Sequence, residues 1–141
     1  MTEQNNTSLI QKVYAAFGAG DVQTILDNLT SDVSWTLEGP SSIPFAGTKT
    51  GPEQVREFFQ ALASTQDKPQ LTITDWAAQG DNVATLGRYS CVVKETGKSV
   101  DCAVAHFFTI RDGKIARFFD FLDTAQFAEA YTLAAAAGAH R

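Results

Sequence analysis

Apolar positions recur along the first part of the chain with a helical spacing. Ile10, Val13, Tyr14 and Phe17 fall at i, i+3, i+4 and i+7, which predicts an amphipathic helix capped by Thr7 or Ser8 and ended by Gly18 and Gly20. Asp21 is placed to cap a second helix, on which Val22, Ile25, Leu26 and Leu29 repeat the spacing. Residues 32–38, DVSWTLE, alternate as a strand does. The stretch 39–51, GPSSIPFAGTKTG, reads as a loop from its Gly, Pro and hydroxyl residues, although Ile43, Pro44 and Phe45 make its middle apolar. A third helix is expected over 52–64, with Pro52 in its first turn and Val55, Phe58, Phe59 and Leu62 on one face. Beyond it the period changes. Residues 70–78, 82–95, 99–110 and 114–122 read as strands of an antiparallel meander, punctuated by Gly80-Asp81, Thr96-Gly97 and Asp112-Gly113. Thr124 is placed to cap a final helix reaching about Leu133, and 134–141, AAAAGAHR, reads as a low-complexity tail.

This order segregates helices from strands, so the expected class is α+β: one domain over 1–141, with a curved antiparallel sheet packed on three to four helices. If the sheet curls strongly, sheet and helices enclose a cone with an apolar pocket, a usual place for a small ligand. With 141 residues, 44% of them hydrophobic, the chain has material for a core without metal or disulfide staples. A net charge of −5 and the lack of any Lys/Arg cluster argue against nucleic acid and against an anionic membrane surface. No apolar run approaches the roughly 20 residues of a membrane span. The polar start, MTEQNNTS, lacks a signal-peptide pattern, so the expected location is cytoplasmic. Cys91 and Cys102 sit in strand-like runs without CxxC spacing and read as buried free thiols, while His106 and His140 lie too far apart to suggest a metal site.

The chemistry concentrates in residues 102–123, CAVAHFFTIRDGKIARFFDFLD, where His106 and Asp120 interrupt two apolar runs. Burying either group without a partner costs several kcal/mol, so both need a reason to be there. By alternation Cys102, Val104, His106 and Phe108 share one face, and Phe118, Asp120 and Leu122 share one. A three-residue turn at Arg111-Asp112-Gly113, with Gly113 left-handed, pairs Ile110 with Lys114, His106 with Phe118 and Val104 with Asp120. His106 and Asp120 are then diagonal neighbours on one face; a two-residue turn would part them. An aspartate beside a histidine orients the imidazole as a general acid or base. Arg88, in phase with Ser90 and Val92, is expected to face the same cavity, where it would keep Asp120 ionised or grip an oxyanion. Trp35, Tyr14, Phe59, Val104, Phe118 and Leu122 are the candidate lining residues, and Glu38 reads as a solvated loop carboxylate.

YAAFGAGD at 14–21, SDVSW at 31–35, PFAGTKTGPEQVREFF at 44–59 and AHFFTIRDGKI at 105–115 resemble the NTF2-like superfamily, in its SnoaL-like and ketosteroid-isomerase-related branch, which includes limonene-1,2-epoxide hydrolase. The resemblance implies the NTF2-like cone and commonly a homodimer through its convex face. Ketosteroid isomerase carries an Asp base, and a Tyr and a protonated Asp as oxyanion donors; those positions fall here on Leu37 or Glu38, on Val13 and on His106. Steroid isomerase activity is therefore not implied. The Arg and base Asp of limonene-epoxide hydrolase match Arg88 and Asp120, but its acid Asp falls on Ser90, and its Tyr and Asn fall on Trp35 and Leu37. In SnoaL-type polyketide cyclases the acid/base Asp corresponds to Asp120.

Two functions follow as expectations. One is a cofactor-independent enzyme that isomerises, cyclises, dehydrates or hydrates a small hydrophobic substrate, with Asp120 and His106 moving a proton and Arg88 and Trp35 positioning it. The alternative is a non-catalytic binder of a small hydrophobic metabolite.

Overall fold

A computed structural model describes residues 2–133, so the tail expected at 134–141 lies outside the described residues. The order is α1 (Thr2–Gly18), α2 (Val22–Asp27), β1 (Leu29–Leu37), β2 (Gly47–Thr50), α3 (Pro52–Thr65), β3 (Gln66–Gln79), β4 (Asn82–Val93), β5 (Ser99–Arg111), β6 (Lys114–Phe121) and α4 (Thr124–Ala130). The strands form one curved, unclosed sheet in the order β2-β1-β6-β5-β4-β3, with the helices packed on its concave face. The α+β class is as expected, but the sheet is mixed: β1 joins β6 in parallel, Trp35 opposite Phe118, while the other pairings are antiparallel.

α1 begins at Thr2, well before the expected Thr7 or Ser8, because tertiary bonds secure its first turns. Glu3 accepts from Gly80 N at 2.8 Å and the buried Asn6 donates to Gly80 O, which fastens the helix to the β3–β4 turn. At its other end Asp21 N bonds Ala16 O and Gly20 N bonds Phe17 O, with Gly20 at φ 72, a Schellman ending that needs a left-handed residue. Asp21 then accepts from Thr24 N and caps α2 as its position predicts. The apolar centre of the 39–51 loop is explained by burial: Ile43 and Phe45 are each 2% exposed, and Phe45 packs its ring against Phe58, Phe127 and Tyr131. The end of that loop forms β2, which the sequence pattern hides because its side chains are half-buried at most.

Gly87 stands on the buried face of β4. Opposite it, β3 breaks register between Ile73 and Asp75 and folds over the inner face, so that a Cβ on Gly87 would lie 2.1 Å from the Thr72 carbonyl oxygen. Only glycine permits this approach.

The β5–β6 hairpin differs from expectation in two places. Its turn has two residues, Asp112 and Gly113, both at positive φ (54 and 76), so that Arg111 faces Lys114. A bulge then inserts Ala116, since Thr109 pairs with Arg117 but Ile110 with Ile115. The shorter turn would have put His106 and Asp120 on opposite faces; the extra residue restores them to one face and makes them direct partners rather than diagonal ones.

Candidate functional site

Inside the cone lies a cavity of about 70 Å³. The sheet contributes Trp35 (β1), Tyr89 (β4), Val104, His106 and Phe108 (β5), and Phe118, Asp120 and Leu122 (β6 and the residue after it); α1, α2, α3 and α4 supply Tyr14, Ile25, Phe58, Phe59 and Phe127. A wider space of about 340 Å³ shares Tyr14, Phe17, Phe59 and Gln66 with it and reaches the exposed Gly18, Gly20 and Pro69, which gives the cavity a route to solvent. Eight of the candidate site residues, Asp120, His106, Trp35, Tyr14, Phe59, Val104, Phe118 and Leu122, converge on the cavity walls.

Arg88 does not. It projects from the convex face of β4, is 60% exposed, and pairs with Asp101 at 3.1 Å. The inner face of β4 is carried by Val83, Thr85, Gly87, Tyr89 and Cys91, the opposite phase from the one expected. The run of uncharged odd-numbered positions was the signal that fixes this phase, since a guanidinium facing an apolar core would need a buried counter-charge. Glu38 is exposed, as expected. Burial pushes the free Cys91 thiol up to about 11, which suits a packed thiol rather than a nucleophile.

His106 and Asp120 face each other across β5 and β6, with His106 Nε2 3.2 Å from Asp120 Oδ1. The ring nitrogen is close but not aligned for a hydrogen bond, so Asp120 Oδ1 is buried without a hydrogen-bond donor among the described residues. On the other side of the ring, Tyr14 Oη lies 2.7 Å from His106 Nδ1 and 2.7 Å from Thr85 Oγ1. Thr85 was not legible as a site residue; it was hidden by the wrong phase assigned to β4. Burial raises the Tyr14 hydroxyl well above a free phenol; the Thr85 hydrogen bond opposes this and the Asp120 charge adds to it. Tyr14 therefore stays a neutral hydroxyl. With the imidazole proton on Nε2, Thr85 donates to Tyr14 and Tyr14 to Nδ1, which holds the ring edge toward Asp120. Replacing Tyr14 with Phe is expected to cost about 1–3 kcal/mol in urea unfolding, because Thr85 and Nδ1 both lose a buried partner; a loss below about 0.5 kcal/mol would remove Tyr14 from the network.

A second polar group closes the far wall. Tyr89 donates to Gln66 Oε1, Gln66 Nε2 donates to Tyr131 Oη at 3.1 Å, and Tyr131 meets Thr65 at 2.8 Å. This network is satisfied and ties α4 to the α3–β3 junction. Among the described residues no group of three or more His, Cys, Asp or Glu side chains is placed to hold a metal ion, and no helix is long and apolar enough to cross a membrane.

The profile of the SnoaL-like domain matches residues 10–118 of the chain. An NTF2-like protein from Burkholderia pseudomallei is 26% identical, with a TM-score of 0.84 over 91% of this chain and 98% of that one. TerC, crystallised with polyporic acid, is 28% identical at a TM-score of 0.82, over 90% of this chain and 98% of TerC. A protein from Xanthomonas campestris pv. campestris, proposed to be a polyketide cyclase, shares the fold at 24% identity and a TM-score of 0.79, over 94% and 100% of the two chains. No curated protein matches the chain in sequence.

Proposed function

This chain belongs to the family of SnoaL-like domains, and from that premise we propose that it is a cofactor-independent acid/base enzyme acting on a small hydrophobic molecule. The observation that carries the reading is the Asp120 carboxylate, which holds an oxygen without a donor inside an aromatic-lined cavity. Leaving such an oxygen unpaired costs about 1–3 kcal/mol, a cost that a reacting proton offsets and simple packing does not. Asp120 takes the proton, becoming a neutral acid, and returns it to the product, while His106, its imidazole fixed by Tyr14 and Thr85, holds the carboxylate in place beside it. A relative crystallised with polyporic acid supports a cavity that admits a small organic molecule. Isomerisation, cyclisation, dehydration and addition of water all use such a pair.

The test is hydrogen exchange at carbon. Aryl ketones and esters incubated with the protein in D₂O should acquire deuterium beside the carbonyl faster than in buffer, read by NMR. Ligands that bind without accelerated exchange would leave the chain a binding protein.

The proposed assembly is a homodimer through the convex face. Leu86, Ala105 and Phe121 form a row across β4, β5 and β6, with Leu86 48% and Phe121 55% exposed. The adjoining row, Phe107 and Phe119, carries the Arg117 guanidinium 5.6 Å from each ring. A second copy of the same face matches a patch of this kind. Leu86→Glu should convert dimer to monomer in sedimentation velocity; a wild-type monomer would overturn the assembly.

A further inference from the structure

Among the described residues, two atoms of the cavity-lining side chains are buried without hydrogen-bond partners, and they are complementary: the acceptor Asp120 Oδ1 and the donor Trp35 Nε1. Trp35 is 3% exposed and its ring is held from three sides, 4.0 Å from Phe118 and edge-on to Phe58 and Phe59. An indole N–H this deep is normally paired, as every polar group of the Gln66, Tyr89 and Tyr131 cluster on the opposite wall is. Trp35 lies across from Phe118, and Asp120 is the next residue on that face of β6, which sets the two backbones roughly 8 Å apart. No Lys or Arg lines the cavity, so the reacting end of the ligand carries no fixed negative charge beside Asp120.

We infer that Trp35 Nε1–H is the donor that meets the carbonyl oxygen of a substrate whose α-C–H or enol O–H faces Asp120. This rests on the acid/base reading of the site. In the step itself the α-C–H bond breaks and its proton passes to the Asp120 carboxylate. The C–H electron pair becomes the enolate C=C bond, and the carbonyl π pair moves onto oxygen, where the indole N–H holds it. Trp35 thus takes the part expected of Arg88, without bringing a charge into the apolar chamber.

The test uses 1-indanone and its hydrocarbon isostere indane on the ¹⁵N-labelled protein. The chain has two Trp residues, 35 and 76, so its two indole N–H signals are assigned by a Trp35→Phe variant. 1-Indanone should move the Trp35 signal downfield and indane should not. The preference for ketone over hydrocarbon should fall about tenfold in Trp35→Phe, the worth of one buried hydrogen bond. An indole signal that responds alike to both ligands overturns the assignment, and so does failure of 1-indanone to enter the cavity. Should Trp35→Phe fail to fold, Trp76→Phe, at a position 37% exposed, assigns the two signals instead, and the shifts are read on the wild-type protein. It reports binding, whereas deuterium exchange reports chemistry, so failure of the donor is distinguished from failure of the acid/base pair.

Discussion

Replacing Asp120 with Asn should lower catalysed exchange, or turnover of any substrate found, by about 10²–10⁴-fold while ligand affinity changes only a few-fold. The asparagine keeps the size and planar shape of the carboxylate, so the cavity wall is preserved, but it cannot accept a proton at ordinary pH. Because the proton is transferred only in the reacting complex, the loss belongs in kcat rather than in binding. His106 cannot substitute for the missing base, since its Nδ1 is engaged by Tyr14 and its Nε2 faces the altered side chain. Turnover unchanged by the substitution would show that the pair only ties β5 to β6.

Gly87→Ala should be the most damaging single-methyl change in the sheet. Its Cβ would meet Thr72 O at 2.1 Å and Ile73 Cα at 3.0 Å, both backbone atoms that cannot rotate away. Relief requires β3 to swing off β4 where it folds over the cavity, losing ladder bonds beside an existing register shift. A loss of at least about 3 kcal/mol in urea-monitored unfolding is expected, above the usual range for a surface alanine. A loss below about 1 kcal/mol would mean that the curl of the sheet does not depend on this close approach.

The periods of two and 3.6 made most elements legible, because each helix and strand buries one face: Ile10 and Val13 on α1, Val55, Phe58 and Phe59 on α3, and alternate residues of β4 and β5. What stayed hidden depends on tertiary partners. α1 extends forward because Glu3 and Asn6 find Gly80, a residue 74 positions beyond Asn6. β1 lies parallel to β6, a pairing no local pattern encodes. In the hairpin the turn was shorter by one residue and the Ala116 bulge longer by one, so two departures cancelled and the His106–Asp120 proximity survived. No such cancellation helped Arg88. Its placement rested on a phase choice for β4, and the residues of the correct phase, Thr85 and Tyr89, proved to carry the cavity's polar contacts.

If the fold tolerates an unsatisfied carboxylate oxygen at Asp120 because function requires it, thermal unfolding of Asp120→Asn reveals this without knowledge of the substrate. Removing the buried charge should raise Tm by a few degrees, the equivalent of about 1 kcal/mol in a domain of this size. A fall corresponding to about 3–5 kcal/mol, the cost of breaking a buried ion pair, would contradict the account and make His106–Asp120 a structural clasp.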